Sequence, residues 1–339
     1  MTSNRKPRQA RRTITCYDVA QRAGVSQSSV SRSFRADGVV ARATRVRVLA
    51  AAAELGYQPN AFAQGLITKR SNLVAIILAK ITNLTYPEML ANLTDKLSQR
   101  GMRALLFTLD SNAVPTDVLE QVWRFRVDGA IAIAQLTPDQ IDAFADHDTP
   151  LVLYNRISDR PVGSVCCDSI RGEAMLVDGL LAAGHRRIGI IAGLEDSHVG
   201  TERLEAALGR LKAAGYPVAA VARGNYDYAS GRDALRALMA EAGTLDAVVC
   251  ANDLMAIGAI DAARDMGLRV PDDLSVVGFD GVGAADWTGY RLTTIRQPVE
   301  HMVSATVSML FEHISDPDHP AERRLFMGEF VRGGSARIA

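Results

Sequence analysis

The sequence of 339 residues lacks the apolar run, about 18 residues long, that a membrane-spanning helix needs. Its basic first residues, 1–12, also lack the apolar core of a secretory signal. Cysteine is scarce: Cys16, Cys166, Cys167 and Cys250 have neither metal-binding nor redox spacing. We therefore expect a cytoplasmic protein with free thiols and no metal site.

The common signatures of enzyme active sites are also missing. There is no Gly-x-x-x-x-Gly-Lys-Ser/Thr phosphate loop and no Gly-x-Ser-x-Gly nucleophile turn. Gly278, Gly281 and Gly283 do not form a dinucleotide fingerprint after a first strand. His185 lies in a Gly-His-Arg-Arg turn that is better explained as structure than as a catalytic base. The sequence predicts no enzyme, no catalytic residue and no cofactor, and an α/β enzyme with a basic appendage is kept as an unfavoured alternative.

Charge is divided unequally along a chain whose net charge is zero. Residues 1–70 hold 13 Lys and Arg against three acidic residues, a net charge of +10, and the remainder carries −10. Such a split at one boundary indicates two domains with different partners. The basic domain suits a polyanion.

Residues 13–57 have the pattern of three short helices. Gly24 and Gly56 can adopt the positive φ that ends a helix, and Ser26 is a favoured N-terminal cap. The predicted helices run from Thr15 or Cys16 to Gly24, from Ser26 to Ser33 and from about Ala43 to Leu55.

After residue 71, apolar runs of strand length alternate with helical segments. Near-continuous apolar strands joined by helices are typical of parallel sheets covered on both faces. Eight strands suggest two α/β lobes rather than one sheet. The predicted strands are Leu73–Ala79, Ala104–Leu109, Gly129–Ala134, Leu151–Tyr154, Ser164–Cys167, Ile188–Ala192, Ala247–Cys250 and Ser275–Phe279.

The segment CYDVAQRAGVSQSSVSRSFR, residues 16–35, has the features of a helix-turn-helix. Ala20 is small where the two helices cross, Gly24 suits the turn, and apolar residues such as Val30 supply the contacts. The second helix presents short polar side chains at its N-terminal end. Such a helix can enter a major groove, where Gln pairs with adenine and Arg with guanine.

These motifs resemble the LacI/GalR family of bacterial transcription regulators. The resemblance begins with YDVAQRAGVSQSSVSR and continues in order over nearly the whole chain. The later matches are AAAELGYQPN and AFAQGL after residue 50, LVAIIL at Leu73, VDGAIAIA at Val127, AAGHRRIGIIAG at Ala182, ANDLMAIGAI at Ala251, GLRVPDDLSVVGFD at Gly267 and LTTIRQPV at Leu292.

The resemblance implies a helix-turn-helix headpiece, a hinge, and an α/β domain similar to periplasmic sugar-binding proteins. The expected domains are a basic tail at residues 1–12, the headpiece at 13–58, the hinge at 59–70 and an effector-binding and dimerisation domain at 71–339. Lobe 1 of that domain is expected at about residues 71–168 and 298–325, and lobe 2 at about 169–297 and 326–339.

In the headpiece, the resemblance implies two kinds of DNA contact. Base edges would be read by Gln27, Ser28 and Arg32. Phosphates would be contacted or lined by Thr15, Tyr17, Ser26, Ser29 and Ser31. Residues 60–66, including Asn60, Ala63 and Leu66, would form a hinge helix on DNA, with Ala63 and Leu66 in the minor groove and Leu66 as the wedge that kinks a base step.

Two residues depart from the family pattern. Cys16 replaces a larger apolar residue, so a contact made by that residue is not carried over. Gly65 lies inside the hinge and disfavours a helix by roughly 1 kcal/mol relative to Ala. We expect the hinge to depend more heavily on DNA and on dimer contacts to fold.

Polar residues that follow apolar strands are the candidates for effector binding. Ligands of open α/β sheets bind at the carboxyl ends of the strands. The resemblance implicates Arg203 and Asp280 most firmly, then Asp168 and Asn252, with Asn83, Tyr86, Gln135 and Tyr226 as weaker candidates. Asp253 is interpreted as a helix cap. His198 could also face the cleft, but a lone exposed histidine is more often a surface residue, so it is interpreted as one. Carboxylate, amide and guanidinium groups together suit a polyhydroxylated ligand such as a sugar.

The resemblance therefore implies a repressor that binds a pseudo-palindromic double-stranded operator as a homodimer and is switched allosterically by a carbohydrate. The chain ends without the heptad tail of the family's tetramers, which also favours a dimer. A nucleoside or purine effector is the alternative, although Ser197 and Val199 replace the Arg and Thr found in purine-responsive members. A secreted solute-binding protein is disfavoured by the helix-turn-helix.

Overall fold

The computed structural model describes residues 14–34, 38–58, 70–79, 84–109, 115–195 and 197–338. The chain divides into two compact units, Met1–Ser71 and Asn72–Ala339. The basic tail and nearly all of the hinge lie outside the described residues, and so do Asn60, Ala63, Gly65, Leu66 and Asn83.

The described part of the first unit, residues 14–34, 38–58 and 70–71, contains three helices: α1 Cys16–Ala23, α2 Gln27–Ser33 and α3 Arg42–Leu55. Gly24 and Gly56 end α1 and α3 in the left-handed conformation, with φ of 63° and 65°. Ser26 has an extended backbone, and its hydroxyl accepts a hydrogen bond from the Ser29 N–H at 3.2 Å. The three predicted helices are thus confirmed, with α3 beginning at Arg42 rather than Ala43.

The core of the first unit is small and aliphatic. Val19, Val30 and Val48 are almost fully buried, one from each helix. Each such side chain stabilises the fold by about 1.5–3 kcal/mol relative to an exposed one. Ala20 and Ala51 are also buried, and their small side chains let the helices approach closely.

The second unit contains two six-stranded sheets and the helices that cover them. Its elements are β1 Leu73–Leu78, α4 Tyr86–Gln99, β2 Arg103–Thr108, α5 Pro115–Arg124, β3 Gly129–Ala132, α6 Pro138–Asp146, β4 Leu151–Tyr154, β5 Gly163–Cys167, α7 Ser169–Ala182, β6 Ile188–Ala192, α8 His198–Ala213, β7 Ala220–Arg223, α9 Tyr228–Ala242, β8 Ala247–Cys250, α10 Asp253–Asp265, β9 Ser275–Asp280, a 3₁₀ turn Gly283–Asp286, β10 Thr293–Arg296, α11 Val299–Ser315, β11 Arg323–Phe326 and β12 Glu329–Val331.

Sheet A has the order β11-β5-β4-β3-β1-β2, and all its pairs are parallel. Sheet B has the order β12-β10-β9-β8-β6-β7 and is parallel except for the antiparallel pair of β12 with β10. Sheet A with its helices is called lobe 1 below, and sheet B with its helices lobe 2. The predicted fold of two parallel α/β lobes is confirmed.

The strands of sheet A are apolar on both faces because helices cover both. On β1, Ile76 and Leu78 pack with Leu93 of α4, whereas Ile77 packs with Phe144 of α6. Five consecutive residues of β1 are therefore buried. This explains why the strand has no alternation of apolar and polar residues.

Four strands were not predicted from the sequence: β7, β10, β11 and β12. Three of them, β7, β11 and β12, are edge strands with partly exposed residues. The fourth, β10, lies inside sheet B, but its sequence, TTIR, is mostly polar. Their pairing is decided by tertiary contacts rather than by apolar runs.

The four cysteines are free, as predicted. Cys166, Cys167 and Cys250 are buried at the ends of β5 and β8. Within the described ranges, no helix is long and apolar enough to cross a membrane.

Candidate functional sites

In the first unit, the N-terminal end of α2 presents a group of hydroxyls. Ser26 Oγ lies 2.9 Å from the Oγ atoms of both Ser28 and Ser29. Ser26 and Ser28 are exposed, and Ser29 and Ser31 are partly exposed. Hydroxyls at the start of a helix can donate to phosphate oxygens, as expected for residues that fix the register on DNA.

The two longest candidate base-reading side chains are exposed on the same helix. The Gln27 amide donates to Cys16 Sγ at 3.2 Å, and the Arg32 guanidinium donates to the Ser28 carbonyl oxygen at 3.2 Å. Cys16 therefore positions Gln27, a role that the sequence analysis did not assign. Both side chains end in groups that can form paired hydrogen bonds with a purine.

Thr15 and Tyr17 flank the start of α1. Thr15 occupies the N-cap position of α1, where the Asp18 carboxylate accepts hydrogen bonds from its N–H and its hydroxyl, both at 2.8 Å. Tyr17 is 67% exposed, so its side chain is accessible to a partner. Its hydroxyl can reach a phosphate.

In the second unit, Arg203 and Asp280 form a buried ion pair at the carboxyl ends of sheet B. Arg203 Nη2 lies 3.1 Å from Asp280 Oδ1, and Nη1 donates to the Ala251 carbonyl oxygen at 2.6 Å. The guanidinium also lies 3.7 Å from the ring centroid of Phe279. Burial raises the pKa of Asp280, and the charge of Arg203 opposes that rise.

Gln297 completes this arrangement and was missed by the sequence analysis. Its amide donates to Asp280 Oδ1 at 2.6 Å. Gln297 directly follows β10, the polar strand that had no apolar signal. If residues 293–296 had been predicted as a strand, Gln297 would have been selected as a polar residue that follows a strand.

Asn252 and Tyr226 lie beside the ion pair. Asn252 caps α10, because its Oδ1 accepts from the Met255 N–H at 3.0 Å, and its amide donates to the Tyr226 carbonyl oxygen at 3.0 Å. Tyr226 has a φ of +61°, and its hydroxyl donates to Ser197 Oγ at 3.1 Å. Ser197 in turn caps α8. The interpretation of Asp253 as a helix cap was therefore wrong, because Asn252 caps α10.

Asp253 instead anchors the loop that follows β9. Its carboxylate accepts hydrogen bonds from the Thr294 hydroxyl at 2.6 Å and from the Val282 N–H at 2.8 Å. It is fully buried, and burial together with the nearby charge of Asp280 raises its pKa to about 8. This carboxylate holds the segment on which Asp280 sits.

Asp168 lies where the chain crosses from sheet A to sheet B. It caps α7, accepting from the Arg171 N–H at 3.0 Å, and its carboxylate is 3.5 Å from the Arg171 guanidinium. Its own N–H donates to the Phe326 carbonyl oxygen at 2.8 Å. The side chain retains partial exposure, so a carboxylate oxygen is accessible at the crossing.

Glu173, within α7, is a buried acid that the sequence analysis did not single out. It is 1% exposed, and neither carboxylate oxygen has a hydrogen-bond partner. Burial raises its pKa to about 8, an effect that Arg203 opposes and Asp280 reinforces. Candidate residues were selected because they follow apolar strands, and Glu173 lies inside a helix, so the sequence did not single it out.

Lobe 1 contributes aromatic and basic side chains from the ends of its own strands. Tyr86 begins α4 and is 6% exposed, and burial raises its pKa. The hydroxyl of Tyr154, at the end of β4, is buried without a hydrogen-bond partner. The charge of Asp280 acts on both tyrosines, so these residues of lobe 1 face the ion pair of lobe 2.

Asn155 and Arg156 follow β4 and were also missed, although they occupy a strand end of the kind used to select Asp168. Asn155 has a φ of +49°, and its amide lies 3.4 Å from Gln297 Oε1. Gln135, a predicted site residue, follows β3, and its Oε1 is buried without a hydrogen-bond partner.

Two direct contacts join the lobes at another position. The Arg323 guanidinium of β11 donates to both carboxylate oxygens of Glu202 on α8, at 2.9–3.0 Å. His198 Nδ1 lies 2.8 Å from the Ile157 carbonyl oxygen. His198, interpreted from the sequence as a surface residue, therefore contacts the opposite lobe.

A helix-turn-helix followed along the chain by two parallel α/β lobes defines a class of DNA-binding regulator. Residues 15–60 match the model "Bacterial regulatory proteins, lacI family", and residues 177–336 match "Periplasmic binding protein-like domain". The probable HTH-type transcriptional repressor ExuR of Bacillus subtilis (strain 168) is 32% identical over 334 residues, which cover 96% of this chain and 98% of that protein. This chain belongs to the LacI family of bacterial transcriptional regulators.

Solved structures agree with this assignment. The lac repressor dimer bound to operator and the anti-inducer ONPF matches with a TM-score of 0.88 and 27% identity, over 96% of this chain and 99% of that chain. The CelR–cellobiose complex matches with a TM-score of 0.73 and 30% identity, over 95% and 99% of the two chains. The predicted family is confirmed.

Proposed function

We propose that this chain is a homodimeric repressor in the bacterial cytoplasm, which reads a pseudo-palindromic operator and is controlled by a sugar bound between its two lobes. It acts by binding alone. The observation that carries the proposal is the convergence of Arg203, Asp280 and Gln297 on one side of the cleft with Tyr86 and Tyr154 on the other. Paired donors and acceptors on buried polar groups, with phenol groups on the opposite lobe, suit a polyhydroxylated ring.

Three crossings of the chain between the sheets supply the hinge for a change in lobe angle. We place them near residues 168, 297 and 326, which are also the proposed lobe boundaries. The Asp168 N–H donates to the Phe326 carbonyl oxygen, so two crossings lie side by side. A few residues at element ends can absorb such a rotation. Effector binding would select one lobe angle and thereby alter DNA affinity.

The headpiece part of the proposal is tested with operator selected from a pool of random palindromic duplexes. Arg32→Ala should weaken binding to the selected operator by about 10- to 100-fold, because a paired contact with guanine is lost. Binding to random duplexes should change much less. Arg47→Ala, which removes an exposed arginine from α3, should affect both kinds of DNA alike. Equal losses on both DNAs for Arg32→Ala would contradict its assignment as a base reader.

The effector part is tested by thermal-shift screening of sugars and nucleosides, since a ligand that binds the native state raises the unfolding temperature. Asp280→Asn should abolish the shift from the best sugar while operator binding persists. Asp286→Asn, at an exposed position, serves as the control. A shift that survives in Asp280→Asn would place the ligand elsewhere, and a response to nucleosides alone would replace sugar by the purine alternative.

A further inference from the structure

Arg156 is a cation at the end of β4 for which no described carboxylate lies within ion-pair distance. We propose that it binds a carboxylate or phosphate group on the effector, so that the effector is an acidic sugar rather than a neutral one. This inference rests on the proposed function, because it assigns the chemical class of the ligand bound in the same cleft.

The backbone places Arg156 directly after the carboxyl end of β4 in lobe 1. It follows Asn155, whose positive φ turns the chain at the end of β4. Arg156 Nη1 donates to the Asn155 carbonyl oxygen at 2.7 Å, which fixes the guanidinium near the strand end. Its remaining N–H groups form no hydrogen bond within the described part of the chain, so they are available to a ligand.

Arg156 faces the cleft rather than the outer surface. Burial raises the pKa of both Tyr86 of α4 and Asp280 of β9, and the positive charge of Arg156 opposes each rise. The geometry agrees, because the amide of the preceding residue, Asn155, lies 3.4 Å from Gln297 Oε1, and Gln297 donates to Asp280 at 2.6 Å. The end of β4 therefore lies beside the ion pair of lobe 2.

The acidic residues of the cleft do not neutralise Arg156. Among the described residues, no carboxylate lies within ion-pair distance of it, whereas Arg203 is paired with Asp280 and Arg171 with Asp168. Glu173 is protonated at neutral pH, since burial raises its pKa to about 8. The charge of Glu88 on α4 reaches Tyr154 at the end of the same strand, but within the described ranges Glu88 makes no ion pair with Arg156.

The Tyr154 hydroxyl supplies a second, independent indication. It is buried in a residue that is 3% exposed, and it has no hydrogen-bond partner. Burial raises the pKa of this phenol, so it remains a donor. A buried donor without an acceptor is costly unless a ligand satisfies it. The planar fork of the Arg156 guanidinium can bind a carboxylate or phosphate in a paired geometry, and a phenol can donate to another oxygen of the same ligand.

The test compares matched neutral and acidic sugars by calorimetry on the full-length protein. The probes are glucose with glucuronate and glucose 6-phosphate, and galactose with galacturonate. We expect at least one acid to bind more than about 10-fold more tightly than its neutral partner, since a charge-assisted pair contributes about twice as much as a neutral hydrogen bond. A preference for glucuronate or galacturonate assigns a carboxylate, and a preference for glucose 6-phosphate assigns a phosphate.

Arg156→Gln should remove the preference for the acid, and Arg156→Lys should restore part of it. Arg160→Gln is the matched control, because Arg160 lies in the same loop but pairs with Asp142. Unchanged unfolding temperatures of the unliganded variants would exclude a folding defect. Equal affinity for acidic and neutral sugars, or a preference that survives in Arg156→Gln, would overturn the inference while leaving the sugar-effector proposal intact. Binding of no sugar at all would contradict both.

Discussion

Arg323 and Glu202 form a two-pronged ion pair that joins β11 of lobe 1 to α8 of lobe 2. The pair is partly shielded, with side chains 33% and 23% exposed. Because its partners belong to different lobes, it favours the lobe angle seen here over any angle that separates them. Its neighbour Arg324 pairs instead with Glu312 and Glu322, within lobe 1.

We predict that Arg323→Gln weakens effector binding by up to about 5-fold if the effector selects this lobe angle, since partly exposed pairs contribute up to about 1 kcal/mol. Glu202→Gln should have the same effect, and the double variant should be no worse than either single one. Arg324→Gln should leave the dissociation constant unchanged. Additive losses in the double variant would show that the pair is not a unit.

The buried acid Glu173 predicts a pH dependence of stability. Its pKa is raised to about 8 in the folded protein, so folding takes up a proton at pH values above the ordinary carboxyl pKa. Below about pH 4.5 the carboxyl group is protonated in both the folded and the unfolded protein, so its burial has no ionisation cost. As the pH rises towards 8, the unfolded protein can release this proton and the folded protein cannot, so the free energy of unfolding falls progressively. Glu173→Gln should be as stable as wild type near pH 5 and more stable at pH 8 in denaturant titrations.

The exposed residue Glu205 on α8 provides the control for this experiment, because Glu205→Gln should leave the pH profile unchanged. Part of the dependence should remain in Glu173→Gln, since Asp253 has a pKa raised in the same direction. A stability difference between Glu173→Gln and wild type that does not vary with pH would contradict the prediction.

Replacing a glycine by alanine should change the stability in opposite directions at two positions, Gly231 of α9 and Gly209 of α8. A Cβ at Gly231 of α9 would lie 2.3–2.7 Å from the backbone of Met255 on α10, so Gly231→Ala should destabilise the protein by about 1–3 kcal/mol. Gly209 of α8 is exposed, and a Cβ there meets nothing within 4 Å. Gly209→Ala should stabilise the protein by about 0.5–1 kcal/mol, because alanine restricts the unfolded chain. Urea unfolding measures both, and equal effects would exclude the packing argument.

The N-terminal cap of α2 predicts a coupled loss of stability and DNA binding. Ser26→Ala removes the acceptor for the Ser29 N–H and should destabilise the first unit by about 1 kcal/mol. Ser28→Ala removes a hydroxyl that contacts Ser26 Oγ but leaves in place the Ser26 acceptor for the Ser29 N–H, so it should lower operator affinity with a smaller loss of stability. Thermal unfolding followed by helical circular dichroism distinguishes the two. Equal destabilisation by both changes would mean that the cap is not what stabilises α2.

Local sequence patterns were sufficient to predict the role of a residue wherever that role depends only on residues close to it in the chain. Gly24 and Ser26 define the ends of two helices because positive φ and a side-chain cap are properties of a few consecutive residues. The apolar runs of β1 and β4 predicted buried parallel strands for the same reason. Asp280 was found because it directly follows such a run.

Residues that act through distant partners were harder to find. Gln297 follows a strand that is polar by sequence and buried only because β9 and β12 flank it. Glu173 lies within a helix, and its burial follows from the packing of α7 against sheet B. Asn155 and Arg156 did have a strand-end signal, but the sequence analysis passed over them.

By itself, the sequence determined the class of this protein: a basic helix-turn-helix followed by two parallel α/β lobes. Periodicity, capping and turn residues are local, and the ordered motifs extend over nearly the whole chain. Only the tertiary structure decided which charges are paired. Arg203 is neutralised by Asp280, 77 positions away in the chain, whereas Arg156 is left without a carboxylate among the described residues. Charge pairing depends on distances between side chains from different strands, and those distances are set by sheet order and lobe contacts.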